Sequence, residues 1–370
     1  MYVGLNLAKT FYLVPHSALG AELTDDYDQR TSLFGWNFVV YSIGGALLGV
    51  IVMVVIFPST EVHDNGLLNS GRYQFLATFG AVFAIAMVLI CTFATADQIP
   101  NLHHVEKVAH PARKDLVRSI RNFLHNLWSL ARNRSYISVC ACWLVLYISG
   151  GVLFATSTFT LLYAFDLTTE QLAIRSLIVL PGAFLAVVLS TRLVRRFDKK
   201  YTVIGTALIC SLLIGLPYCL RILGWFPENG SSWLLVSIFG IWAVGYFFLP
   251  VVPIVIESQL GDIADEHELK TGNRSEGVIY SVRTFGMKTT RGIGGMIGTF
   301  GLEYINFPQD ARAETLDPEV INGLLWMTGP LYIFIVYGGL GFAFLYRIDR
   351  KRHAEIMKEL ELRRAQSLDP

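Results

Sequence analysis

Nine stretches of this chain are about as long and as apolar as a bilayer is thick, and they limit what it can fold into. A helix needs about 20 mostly apolar residues to cross the hydrocarbon layer. Stretches that approach or exceed this length run over residues 1–20, 35–57, 73–95, 136–165, 172–191, 202–224, 232–256, 278–301 and 323–346. The first is the weakest, because Asn6, Lys9 and His16 interrupt it. Gly, Ala and Ser recur through the stretches and allow helices to pack closely in lipid. The expected class is an all-α polytopic membrane protein with about nine transmembrane helices. Composition agrees, since 16% of residues are charged against about 25% in soluble domains.

Cations between the stretches give the orientation. Residues 96–135 carry Lys107, Arg113, Lys114, Arg118, Arg121, Arg132 and Arg134. Arg192, Arg195, Arg196, Lys199 and Lys200 follow the 172–191 stretch, and the tail after 346 is equally basic. The alternate loops, 58–72, 166–171, 225–231 and 305–322, have few cations. The basic segments therefore share the cytoplasmic side, with the C-terminus. Leu116, Ile120, Phe123, Leu124 and Leu127 recur at helical spacing, so 113–130 reads as an amphipathic helix lying along that surface.

Glu257 to Gly295 is the most informative polar stretch. It carries Glu257, Asp262, Asp265, Glu266 and Glu268, then a Thr271-Gly272 turn, Arg274 and Glu276. The chain then re-enters an apolar segment that holds Arg283, Lys288 and Arg291. A cation at the centre of a membrane helix costs roughly 2.5–3.5 kcal/mol, so it is kept where it faces a cavity or a partner. Arg283 is expected to partner the acidic loop. Other chemistry is not indicated. The five cysteines lie in apolar runs without a Cys-x-x-Cys pair, and neither His103-His104 nor Glu266-His267-Glu268 belongs to a cluster at metal-ligand spacing. There is no phosphate-binding loop and no nucleophile elbow. A net charge of +1 gives no footprint for nucleic acid. An enzyme, a metal site and a bound cofactor are not expected, and any pumping must draw on an ion gradient.

Three spans precede the long basic segment and six follow it. Many transporters are built from repeated halves, so the second half here reads as whole and the first as partial. The domain reading is 1–95 as a partial first half, equivalent to helices 4–6, and 96–135 as a central cytoplasmic loop. Residues 136–346 form a six-helix half and 347–370 a tail. Glu22-Leu-Thr-Asp25-Asp26-Tyr-Asp28-Gln-Arg30-Thr follows the first span much as Asp262 to Arg274 follows the seventh.

These two segments carry a resemblance. Pro15-His16-Ser17-Ala18-Leu19-Gly-Ala-Glu22-Leu23-Thr24-Asp25-Asp26-Tyr27-Asp28-Gln29-Arg30-Thr31 is similar to one motif, and Asp262-Ile-Ala-Asp265 through Thr271-Gly272-Asn-Arg274-Ser-Glu276-Gly277 to Lys288 is similar to the other. Together they resemble the glycoside–pentoside–hexuronide:cation symporters, the melibiose-permease branch of the major facilitator superfamily. The resemblance implies a major facilitator fold lacking about three N-terminal helices. It implies a carrier in a bacterial inner membrane, moving a sugar, glycoside or related organic solute with Na+ or H+; the oligomeric state stays open, with a monomer expected. Leu13 stands where the melibiose-transporting branch has an Asp, and an amphipathic, lysolipid-like cargo stays open. So does a non-transporting sensor or an inactive truncated remnant.

The site residues follow from the same comparison. Lys288, with Thr284 one turn before it on the same helix face, is expected to line the central cavity and hold an anionic or hydroxyl-rich solute. Tyr12, His16 and Ser17, beside the helix-breaking Pro15, are expected to join it. Glu22, Asp25, Arg30, Asp262, Asp265 and Arg274 read as a cytoplasmic gate whose exposed pairs, worth about 0–1 kcal/mol each, make and break as the carrier turns.

Overall fold

A computed structural model describes residues 4, 11–12, 40–60, 65–97, 121, 127–272, 276–308, 311 and 316–368. Every regular element among them is helical. In chain order these are α1 (Val40–Ile56), α2 (Arg72–Ala94), α3 (Arg134–Tyr163), α4 (Thr169–Ile222), α5 (Ser232–Phe248), α6 (Val251–Thr271), α7 (Glu276–Tyr304), α8 (Pro318–Ala343) and α9 (Arg350–Leu368). The linker helix expected over 113–130 lies almost wholly outside the described residues, as does the first expected span.

Among the described residues, five helical segments are long and apolar enough to cross a membrane: Arg72–Ala94, Arg134–Tyr163, Val188–Ile222, Ser232–Thr271 and Pro318–Ala343. The difference from the expected nine has local causes. The span expected at 35–57 appears as α1, a shorter apolar helix, with wider π turns over Ile51–Ile56. The spans expected at 172–191 and 202–224 are both within α4. The ten residues expected as a loop between them, 192–201, do not separate two helices. One residue breaks the helix, Asp198 at φ 67° and ψ 162°. The span expected at 278–301 forms as α7 but carries Arg283, Lys288 and Arg291, which lower its hydropathy.

The chain divides into two compact units, residues 1–112 with 168–180 and residues 113–167 with 181–370. In the first, α2 is apolar on every face and none of its residues is buried, which suits a helix in contact with lipid. The connection from α1 to α2 is tied to the start of α4. Ser59 donates to the Glu170 carboxylate from both its N–H (2.7 Å) and its hydroxyl (2.8 Å). The Gly66 N–H donates to the Thr169 hydroxyl (3.1 Å). These bonds explain why 168–180 groups with this unit, although it was expected in the six-helix half. They also join two loops that were both expected on the cation-poor side.

In the second unit α3 is central and packs along α7 and α8. Small residues allow the α3–α7 crossing. A Cβ on Gly294 would stand 2.4 Å from the Ile148 carbonyl oxygen and 2.7 Å from the Gly151 Cα. Between α3 and α8 the contact is a buried hydroxyl ladder, with Thr160 and Thr328 oxygens 2.6 Å apart and Thr328 donating to Thr156 at 3.1 Å. Without a hydrophobic force between helices in lipid, close approach and side-chain hydrogen bonds of this kind hold the bundle.

Candidate functional site

Two polar clusters interrupt the apolar interior of the second unit, and both rest on α6. Pro250 starts this helix and Gly272 ends it in the left-handed conformation (φ 71°), its N–H bonding back to the Glu268 carbonyl. A residue without Cβ suits that position. Between these ends α6 presents Glu257, Asp262, Asp265 and Glu266.

The first cluster brings α3, α6 and α7 together. Arg283 of α7 forms an ion pair with Glu257 of α6. Their side chains are 26% and 32% exposed, so the pair is half-buried and not sealed in. The guanidinium lies 6.0 Å from the centroid of the Trp143 ring on α3, and Trp143 in turn contacts Tyr147 at 4.3 Å between centroids. Trp143 is held in place by packing on Gly286 of α7, where a Cβ would meet the indole at 3.2 Å. Charged groups paired within a membrane bundle are by default candidates for a solute or ion pathway. Thr284 and Lys288 lie further round α7, on an exposed face away from the buried Gly286 and Thr290.

The second cluster ties the end of α6 to α4, α8 and α9. The Asp262 carboxylate receives Lys199 Nζ at 2.6 Å on both oxygens. The Tyr346 hydroxyl donates to it at 3.0 Å, and His353 Nε2 stands 3.5 Å away. Burial, and after it the Asp262 charge, push the Tyr346 phenol well above its ordinary pKa, so the hydroxyl stays a donor. His353 also lies 3.3 Å from Asp265. Glu266 accepts from Asn133 at 2.7 Å and pairs with Lys270 at 2.8 Å. Asn133 does two jobs, since its carbonyl oxygen also caps α3 by accepting from the N–H groups of Ser135 and Tyr136.

The break at Asp198 belongs to this cluster. The Asp198 carboxylate accepts from the backbone N–H of Lys199 (2.5 Å) and of Arg350 (3.1 Å). The Arg350 guanidinium donates to the Val194 and Arg195 carbonyls at 2.8 and 2.9 Å, satisfying acceptors that the broken helix leaves over. Arg363 reaches the Leu269 carbonyl at 2.5 Å. The tail, whose role had no signature in the sequence, is thus docked as α9 against the end of α6.

Of the expected site residues, Asp262 and Asp265 come together, with Lys199 and His353 between and beside them. Arg283 does partner the acidic stretch, through Glu257. Tyr12 is half-buried and hydrogen-bonds Cys91 of α2. His16, Ser17, Glu22, Asp25, Arg30 and Arg274 lie outside the described residues. Sequence reasoning missed Trp143 as the ring over Arg283, and Lys199, Tyr346 and His353 as the partners of Asp262. The orientation rule did place 199, 262 and the tail on one side, but no spacing pairs them.

A family model described as MFS/sugar transport protein matches residues 1–350. The chain belongs to that family. It is 22% identical to the putative glycoside/cation symporter YagG of Escherichia coli, over 98% of this chain and 72% of that protein. It is 25% identical to a glucuronide carrier protein homolog of Escherichia coli, again over 98% and 72%. A putative sulfoquinovose importer of Salmonella typhimurium is 22% identical, over 96% and 69%. Proteins of the MFS sugar-transport family are membrane transporters and not enzymes. The chain is accordingly an integral membrane protein whose surroundings are the lipid bilayer and whose cargo is a small solute.

Proposed function

We propose that this protein is a secondary symporter that moves a sugar, glycoside or related organic solute together with Na+ or H+ by alternating access. Its place is a bacterial inner membrane, with the C-terminus cytoplasmic. The observation that carries this reading is α7, a helix in an apolar bundle that bears Arg283 and Lys288 and pairs the first of them with Glu257. Such residues oppose membrane insertion, and a solute pathway gives a reason for keeping them. Lys288 and Thr284 serve as solute-binding groups, with Tyr12, His16 and Ser17 as further candidates.

The names of the relatives narrow the solute. Glucuronides carry a carboxylate and sulfoquinovose a sulfonate, while a glycoside need carry no charge. A carrier with three cations on one membrane helix suits the acidic members of that set. The test is uptake into proteoliposomes containing the purified chain, across neutral glycosides, sugar acids and lysolipids, with an imposed Na+ or pH gradient. Gradient-driven accumulation of a sugar or sugar acid is expected. Accumulation of lysolipid alone, or of nothing, refutes the reading.

A further inference from the structure

The Arg283–Glu257–Trp143 cluster has hydrogen-bonding capacity that the protein does not use. Trp143 is 4% exposed, and its indole N–H is buried with no acceptor. The Arg283 Nε–H is buried without one as well. Glu257 Oε1 is engaged by the same guanidinium through the ion pair. Buried polar groups in folded proteins are nearly always satisfied, so two orphan donors beside one another need an explanation. Here the donors sit on adjacent side chains in contact, and the ion pair next to them is part-exposed.

Acceptor oxygens supply what both donors lack. A carboxylate or sulfonate carries them, together with the charge to compete with Glu257 for a guanidinium. The planar fork of arginine suits such groups better than a lysine would. The Trp143 and Tyr147 rings add flat apolar surface on which the less polar face of a sugar ring can rest.

Charge balance then fixes a second partner. The Arg283–Glu257 cluster holds one cation and one anion, with Lys288 on the exposed face of α7 outside it. Adding a solute anion leaves one negative charge in excess inside a low-dielectric bundle, which is strongly unfavourable. One proton on Glu257 restores neutrality. The carboxylate oxygen gains an O–H bond, no other bond changes, and the freed guanidinium pairs with the solute. We infer that Arg283 is the receptor for the anionic group of an acidic sugar, that Glu257 is the counter-ion holding it in the empty carrier, and that a proton taken by Glu257 exchanges one for the other. The inference rests on the reading of the protein as a sugar carrier and adds both the charge of the solute and the identity of the coupling ion.

The hydrophobic core that contains Trp143 includes the ionisable side chains Tyr136, Cys140 and Tyr147 of α3, with Tyr346. Asp262 and Lys288 stand further along α6 and α7. Phenols and thiols are weak acids by nature, Asp262 is already paired with Lys199, and Lys288 is a second cation. Glu257 is the carboxylate in contact with Arg283.

The test is equilibrium binding to the full chain in nanodiscs of phosphatidylethanolamine and phosphatidylglycerol. Methyl β-glucuronide and methyl β-glucoside, which differ at C6 by the carboxylate, are titrated between pH 5.5 and 7.5. Wild-type protein should bind the glucuronide up to about tenfold more tightly per unit fall in pH, the limit for one linked proton, and the glucoside with little pH dependence. Glu257→Gln should bind the glucuronide tightly at every pH. Arg283→Gln should weaken the glucuronide more than tenfold and the glucoside less than twofold. Arg283→Lys, which keeps the charge and loses the fork, should fall between. Retained glucoside binding shows that a variant is folded. A pH dependence that survives in Glu257→Gln overturns the inference, as does equal weakening of both sugars in Arg283→Gln. Wild-type binding of glucoside without glucuronide overturns the inference and leaves the sugar carrier standing. Binding of neither removes both.

Discussion

Removing the Asp262 carboxylate should be among the most damaging single changes at the end of α6. The side chain is 7% exposed and that of its partner Lys199 is 20% exposed. Asp262→Ala leaves the ammonium with only the Ser258 carbonyl, at 3.5 Å. It also strips the Tyr346 hydroxyl of its carboxylate acceptor. Breaking one side of a buried pair costs about 3–5 kcal/mol, mostly because the other charge stays buried. The hydrogen bond from Tyr346 to a charged acceptor is worth about 1.5–3 kcal/mol by itself. The two losses overlap within one network and do not add, so about 3–5 kcal/mol is the expected total. Replacing both partners, Asp262→Leu with Lys199→Met, removes the unpaired charge and should recover at least 2 kcal/mol of the sum of the single losses, on the order expected for contacting residues. The assay is unfolding in mixed micelles, followed by tryptophan fluorescence for wild type, both singles and the double. Strictly additive losses would refute the pairing. So would an Asp262→Ala cost below about 1 kcal/mol, the scale of an exposed pair.

Three further outcomes follow from particular contacts. Partial burial works to raise the Glu170 carboxyl, but hydrogen bonds from the Ser59 N–H, its own N–H and the Ser59 and Thr168 hydroxyls outweigh it and lower it from 4.5 to about 2. A depressed folded value means stability that is present above 4.5 and lost as pH falls toward 2; the melting difference between wild type and Glu170→Gln should therefore be full at pH 7 and shrink below pH 4.5, and a difference that grows in acid would contradict it. Gly294→Leu places a side chain against the Ile148 carbonyl and the Gly151 Cα, and should destabilise the α3–α7 crossing by about 1–3 kcal/mol or more, measured by the same unfolding assay. Arg350→Ala removes the donor to the Val194 and Arg195 carbonyls, and should raise hydrogen exchange in α9 and around the Asp198 break while leaving α3 protected.

The helices were legible because a bilayer imposes one length on every span, and apolar runs of that length are visible without any knowledge of contacts. α2, α3, α5 and α8 appear close to where hydropathy places them. Boundaries set by backbone geometry were less visible. A run of five cations after residue 191 reads as a loop, yet the backbone stays helical to a single left-handed Asp198, stabilised by Arg350 from a tail 152 residues further on. The long-range pairs were invisible for the same reason. Ser59 and Glu170 are 111 residues apart, and Lys199 and Asp262 are 63 apart. Local periodicity carries no information about which helix ends meet. The motif around Asp262 and Asp265 was visible in the sequence, and the bundle decided their partners.

Glu257 and Asp262 show what the sequence could not separate. They are two acids on one helix, five positions apart, and each is matched to a single cation. Asp262 has both oxygens engaged by Lys199, a phenol donating to one of them and an imidazole alongside. A site so fully occupied has no vacancy for a solute, and breaking it costs stability. Glu257 and Arg283 keep a part-exposed pair with a guanidinium N–H and an indole N–H left over beside it. Unused donors at a charged pair cost stability while the site is empty, and a ligand with acceptor oxygens recovers that cost on binding. The difference in residual hydrogen-bonding capacity, and not the charge or the position in the helix, marks Asp262 as the anchor of α4, α6 and α9 and Glu257 as the carboxylate that works.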